Sequence, residues 1–313
     1  MLHAPNKNHF RFLMLCIIWG STWIGTKAGI EFVPPLVFAG TRFTAAGALL
    51  LLYARVKGKT RFRSEDCPRL FAASVLMITM CYGPLFWGMQ YIETGTAAVL
   101  EMSLTPIALL CFALLLREEV LNRGRMLAIA LGVAGLTVLF WPTAAPGAAH
   151  MQDVFPGSSI MGGLAVASAA FTYGYGSVLA RPLLRAYPAL QVAGITTLIG
   201  GIGLLVIALV IEPGAVLALS GDWGLTAWAS WFFLVIMGSL IGYTTYMRLL
   251  RDVGASRAGA YAFVSPVIAV ALGAIFFAEQ VTFFDVVGMM VMLSGAYLAM
   301  ADAPKSKHTV TEG

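Results

Sequence analysis

TPIALLCFALLLREE (residues 105–119) and SPVIAVALGAIFFAE (residues 265–279) are the two stretches that decide the fold. Each sets a hydroxyl residue and a proline inside an apolar run, and each run ends on a glutamate. Pro106 and Pro266, Glu119 and Glu279, and Gly135 and Gly295 are all separated by the same 160 residues. Five apolar segments fit in each half of the chain. An odd number of spans per copy obliges the second copy to enter a membrane from the other side. That is the inverted-repeat logic of carriers that work by alternating access.

Working outward, composition agrees. Hydrophobic residues make up 59% of the 313 residues and charged residues 11%, against about 25% charged in a soluble domain. Mean hydropathy is +0.83 over the whole chain, more than one anchor or one buried helix would give. The expected fold is an all-α integral membrane protein with ten transmembrane helices in two inverted five-helix repeats. Spans of roughly 20 residues are expected near 11–30, 35–55, 69–91, 96–116, 125–142, 158–180, 188–211, 226–247, 258–278 and 282–301. The first repeat then occupies 1–142 and the second 158–301. A Pro-, Gly- and Ala-rich linker joins them, and 302–313 forms a polar cytoplasmic tail expected to be disordered. The first segment lacks an A-x-A-like cleavage site, so it is kept as a span.

Charge sets the orientation. Eighteen of the 20 Lys and Arg residues flank alternate ends of these spans, from Lys7 and Arg11 through Arg117, Arg123 and Arg125 to Lys305 and Lys307. The opposite connections carry Glu31, Glu93, Asp153, Glu212, Asp222, Glu279 and Asp285. Positive residues stay inside, which puts both termini in the cytoplasm of a multi-pass protein of the inner (plasma) membrane. The net charge of +5 comes from these dispersed loops and gives no reason to expect nucleic acid as a partner. The expected partners are the lipid bilayer and a small-molecule substrate, with protons added if Glu101 titrates. Either a monomer or a homodimer is compatible with the pattern. No cofactor and no metal is expected, because the four cysteines and four histidines have no ligand spacing and no histidine falls in a span.

Glu101 is the most informative single residue. It lies about six residues into the fourth span, so about 9 Å below its outer end. A carboxylate there faces the bundle interior or a wet cavity. It either binds a cationic group or a proton, or forms a structural ion pair with Arg42, which lies at matching depth in the second span, with Lys27 near enough to join them. Arg42 alone also has the option of snorkelling. Pro106 and Pro266 each remove a helix hydrogen bond and free a carbonyl one turn earlier, that of Met102 and that of Ala262. They are expected to act as hinges or to open carbonyls to a cavity. Aromatic side chains gather at mid-depth, too deep for an interfacial belt. Trp19, Trp23, Tyr82, Phe86, Tyr173, Tyr243 and Tyr261 are, with Glu101, the expected substrate-binding set. For each aromatic, plain packing is an equal alternative. Gly25/Gly29 and Gly238/Gly242 are G-x-x-x-G pairs that permit close helix approach. Glu119 and Glu279 close spans four and nine, where an acid opposes the helix dipole, so each needs a cap or a gate contact.

At these residues the chain resembles a known family. Trp19-Gly-Ser-Thr-Trp23, Arg42-Phe43, the two Pro…Glu runs and above all Tyr261-Ala-Phe-Val-Ser-Pro-Val-Ile-Ala-Val270 look like the drug/metabolite transporter superfamily, EamA group. The resemblance covers essentially the whole chain. It implies ten helices in two inverted repeats and a central cavity from spans 1, 3, 4, 6, 8 and 9. It also implies export of small metabolites, amino acids and their derivatives, driven by proton exchange or by the substrate gradient. Glu101 belongs to no family-wide signature, so its role rests on its own position. Uptake by the same fold and a lipid or drug flippase remain alternatives. An integral membrane enzyme is disfavoured, since no H-E-x-x-H, G-x-S-G or span-embedded His/Asp/Ser combination is present.

Overall fold

The structure is a computed structural model, and it describes residues 7–56, 58, 62–92, 94–139, 158–277 and 281–301. The linker after 142, Glu279 and the tail from 302 lie outside the described residues. Among those described, the secondary structure is helical throughout. Ten segments carry the bundle: α1 (Lys7–Ile30), α2 (Pro35–Val56), α3 (Ser64–Gly88), α4 (Thr94–Leu115), α5 (Arg123–Leu139), α6 (Ser158–Ala186), α7 (Ala189–Ile211), α8 (Gly224–Val253), α9 (Tyr261–Phe277) and α10 (Phe283–Ala301). By length and composition eight helical segments suffice to cross a membrane, and Leu100–Leu115 is a shorter apolar helix. The protein is therefore an all-α, multi-pass membrane protein.

Boundaries follow local chemistry. Pro35 opens α2, where a missing N–H costs nothing. Gly254 ends α8 with a φ of +91°, a conformation that glycine adopts without penalty. The chain then makes one short helix, Ala255–Gly259, before α9. The largest departures from the expected spans are α8, which runs on to Val253, and α6, which runs on to Ala186 through Pro182.

Packing is governed by glycine. In α2 against α7, a Cβ on Gly201 would meet Thr44 N at 2.5 Å, and one on Gly40 would meet Leu205 N at 2.9 Å. In α5 against α10, a Cβ on Gly135 would meet Met292 N at 2.6 Å, and one on Gly295 would meet Ala128 O at 2.7 Å. Backbones this close replace the hydrophobic drive that lipid does not supply. The G-x-x-x-G pairs serve different neighbours: Gly25 faces Phe233, Gly29 faces Phe38, and Gly238 and Gly242 face Thr22 and Trp19.

The contacts repeat. α2 packs on α7 and α5 on α10, while α1 lies against α8 and α9 as α6 lies against α3 and α4. Advancing every helix number by five maps this set onto itself. The register of the first two helices of each half also becomes visible. Gly40, Gly47, Leu50 and Ala54 of α2 are buried, and so are Gly194, Gly201, Leu204 and Ala208 of α7, each 154 residues later. Gly20 abuts Ser265 and Ile268, and Gly174, again 154 residues on, abuts Ala108 and Leu109. The later helices keep the longer offset: both α3 and α8 widen into π-helical turns, at Val75–Thr79 and at Leu234–Tyr243.

Candidate functional site: a central cavity

Six of the ten helices, with α2, converge on one cavity of about 90 Å³, room for several waters at the usual minimum of ~10–15 Å³ each. α1 contributes Trp19, Thr22, Trp23 and Thr26, which share one face because they recur every three to four residues. α3 contributes Cys81, Tyr82 and Phe86, α4 contributes Glu101 and Met102, α6 contributes Tyr173, α8 contributes Ser239 and Tyr243, and α9 contributes Tyr261. Arg42 and Phe43 of α2 complete the wall. All eight residues expected from the sequence to bind substrate therefore line one space.

The aromatic wall is a connected set. Trp19 meets Tyr261 edge-to-face at 4.6 Å, and Tyr246 lies within 5.2 to 5.9 Å of Trp19, Tyr173 and Tyr261. Tyr246 is fully buried and donates to Ser177 Oγ at 2.9 Å, so it props the wall rather than lining the space. Tyr243 Oη and Thr196 Oγ1 are 3.2 Å apart. Buried polar tips held in this way fix ring orientation.

Widened and proline-broken helix turns release carbonyls that side chains of neighbouring helices then satisfy. Trp19 Nε1 donates to Gly238 O in the π turn of α8 at 3.3 Å. Pro84, inside α3, leaves Met80 O without its helical donor, and Thr172 Oγ1 fills the vacancy at 3.0 Å. Of the two carbonyls assigned to Pro106 and Pro266, Met102 belongs to a cavity-lining residue. Ala262 is buried away from the cavity.

The Glu101–Arg42 ion pair expected from matching depth is not formed. Glu101 accepts from Thr105 Oγ1 at 3.0 Å, one helical turn on in its own helix. Arg42 instead stands 4.4 Å from the Phe43 ring and 5.4 Å from that of Tyr82. Neither residue occurs in an ion pair among the described residues. Depth along two helices says nothing about azimuth, and the aromatic rings of Phe43 and Tyr82 occupy the guanidinium's neighbourhood. Lys27 does not join either charge. Arg42 is 5% exposed, which also disposes of snorkelling.

At the end of the bundle that carries the basic loops, Glu119 does what an acid at a helix C-terminus requires. Arg117 turns the chain out of α4 with a left-handed φ of +55°. Glu119 Oε1 then accepts from the backbone N of Ala255 at 2.6 Å and of Ser256 at 3.3 Å, capping the short helix after Gly254. Ser256 Oγ bonds its other oxygen. Arg125 lies 3.4 Å away and Arg181 3.7 Å away, while Glu118 pairs with Arg181 at 3.2 Å and Arg185 at 2.6 Å. One carboxylate thus ties α4, α5, α6 and the α8–α9 connection together.

The comparisons with known proteins follow the same lines. The EamA-like transporter family matches residues 8–141 and again residues 160–301. The chain belongs to this family. The uncharacterized inner membrane transporter YedA of Escherichia coli (strain K12) is 32% identical over 265 residues, 83% of this chain and 79% of its own length. The uncharacterized transporter YoaV of Bacillus subtilis (strain 168) is 25% identical over 91% of this chain and 94% of its own. A solved crystal structure 18% identical in sequence superposes with a TM-score of 0.77 over 96% of this chain and 98% of that one, which shows the fold. The protein is a membrane transporter of the EamA-like family.

Sequence reasoning missed Thr22, Thr26, Phe43, Cys81, Leu85, Gly238 and Ser239 as cavity residues. The α1 pair was legible, since Thr22 and Thr26 share the helical face of Trp19 and Trp23. The others carried no signal beyond adjacency to a chosen residue.

Proposed function

We propose that this chain is a secondary transporter of the inner (plasma) membrane that exports small metabolites, amino acids or their derivatives, by alternating access. The two moving bodies would be inverted five-helix repeats, residues 1–142 and 158–301, with both termini in the cytoplasm. One observation carries this: one cavity holding ionisable side chains and aromatic faces is built jointly by α1–α4 of the first half and α6, α8 and α9 of the second. Relative motion of the halves changes that wall, which a carrier needs and a fixed pore does not. Pro106 and Pro266 in α4 and α9 are the proposed hinges. The Glu119 cluster, which crosses between the halves, is the proposed latch at the cytoplasmic end. Substrate class and direction are taken from the family resemblance, and the cytoplasmic placement of the termini from the positive-inside count.

Glu101 would engage the cationic end of the substrate, or the proton exchanged for it, because it is the acid of the cavity and has no basic partner among the described residues. Glu101→Gln in reconstituted vesicles is expected to leave the amount of folded protein unchanged and to bring flux close to background. Wild-type flux in this variant removes Glu101 from the mechanism. Growth of cells expressing the chain against a panel of amino acids and analogues identifies the class. Protection supports export, whereas sensitisation turns the direction round to uptake.

An apolar groove on the α1–α8 seam, lined by Ser21, Ile24, Gly25 and Phe233 among others, is the feature a lipid or drug flippase would use. Lipid movement in the same vesicles, without amino-acid flux, would favour that second reading.

A further inference from the structure

We propose that Arg42 is an anion-recognition residue of the cavity, and that the ligand presents a carboxylate to its guanidinium. The inference rests on the transport reading and deepens it by assigning one chemical group of the substrate.

A guanidinium stays protonated in proteins. Buried in a membrane bundle it requires a counter-charge, since an unpaired ion there is costly. Arg42 is 95% buried by its 5% exposure, and its Nε has no hydrogen-bond partner. No described aspartate or glutamate pairs with it. Among the described residues its guanidinium lies against two rings, Phe43 and Tyr82. Cation–π stacking occupies the flat face of the guanidinium and leaves its N–H edge free. That edge is the fork that matches a carboxylate with two parallel hydrogen bonds. The side chain lines the central cavity, so the missing anion has a space to arrive in.

Position makes the same point. The residue 154 positions after Arg42 is Thr196, whose hydroxyl bonds within its own helix and to Tyr243. The duplicated scaffold thus tolerates a neutral side chain here, and the arginine is not a packing requirement. Leu85, Phe86 and Met102, which line the same cavity, suit an aliphatic or aromatic body behind the charged end. Glu101, in the same cavity, defines the further question of whether an amine accompanies the carboxylate.

Four probes separate these possibilities: leucine, 4-methylpentanoate (the same skeleton without the amine), 3-methylbutylamine (without the carboxylate) and inorganic phosphate. The readout is the thermal unfolding temperature of the purified full-length chain, titrated with each. Leucine, 4-methylpentanoate or both are expected to raise it. Arg42→Gln is expected to weaken the carboxylate-dependent response about tenfold or more, and Arg42→Lys to weaken it less, because charge survives and the fork does not. A response to leucine alone says that the amine is also read; equal responses to both say that it is not, and both outcomes support the carboxylate assignment. Stabilisation of the wild type by phosphate or by the amine only overturns it, as does an unaltered carboxylate response in Arg42→Gln. If Arg42→Gln does not fold, an unaltered affinity in Arg42→Lys overturns it equally. Arg42-dependent binding without flux in vesicles would sink the transport reading and leave this site standing.

Discussion

The two walls of the cavity share a scaffold and differ in charge. Trp19 and Tyr173 occupy corresponding positions, as do Arg42 and Thr196, each pair 154 residues apart. Glu101 and Tyr261 correspond at the 160-residue offset. The first-half wall therefore carries a guanidinium and a carboxylate where the second carries hydroxyls and rings. Glycines sit at the close backbone crossings of both halves. Charge is free to diverge because it points into the cavity and not into the helix crossings. Under the proposed function, the polarity of the substrate would be read by one half alone.

The largest expected effect breaks the shared scaffold. Gly135→Val puts a side chain onto Met292 N and Gly288 O, 2.6 and 2.7 Å from its first carbon, and backbone cannot yield as a flexible side chain can. Loss of a monodisperse folded peak in size exclusion is expected. Gly83→Ala, whose Cβ would meet nothing nearer than Leu204 Cδ2 at 3.7 Å, is expected to behave as wild type in the same assay.

Next in size is the charged wall. Moving the carboxylate across the cavity, with Glu101→Tyr and Tyr261→Glu together, is expected to leave flux near background, as in Glu101→Gln. Recovery of flux would mean that the walls are interchangeable and that the asymmetry has no role.

Smaller again is the latch. Glu119→Gln keeps an acceptor for Ala255 N and loses the ion pairs to Arg125 and Arg181. Cys81 lines the cavity and serves as the reporter once the exposed Cys67 and Cys111 are replaced by serine. Maleimide labelling of Cys81 from the cytoplasmic side is expected to speed up several-fold. An unchanged rate would make the cluster a static brace.

The smallest effect concerns Glu212, the acid that crosses between halves at the other end. It accepts from Leu36 N at 2.9 Å and Val37 N at 3.0 Å, capping α2, with no arginine beside it among the described residues. Burial pushes its carboxyl up from the ordinary range, and those two N–H bonds hold it back only in part. With the folded-state value raised, the ionised group costs stability above that value, and the cost disappears as pH falls through it. The wild type should therefore gain thermal stability relative to Glu212→Gln between pH 7.5 and pH 5. A change in the opposite sense would show that the cap outweighs desolvation.

Much of this was legible in the chain. Ten apolar runs and the alternation of basic loops anticipated the helices to within a few residues, because burial in lipid demands length and apolarity before anything else. Deep aromatics and one deep acid marked the cavity, because neither is comfortable facing lipid. Three things were not legible. The 154-residue register of α1–α2 on α6–α7 is carried by small residues, which are too common to align by eye. The π turns in α3 and α8 come from backbone hydrogen bonds shifted under packing, with no residue type that announces them. The partner of Arg42 was misassigned because axial depth is readable from residue number and azimuth is not.

Sequence alone determined that the chain crosses a membrane many times, which ends of its spans are basic, and that its two halves echo one another. Solvation dictates these, acting on each segment separately. Which side chains meet was settled only in three dimensions, by the rotation each helix takes when glycine lets backbones touch. That rotation left Glu101 and Arg42 in one cavity with no ion pair between them.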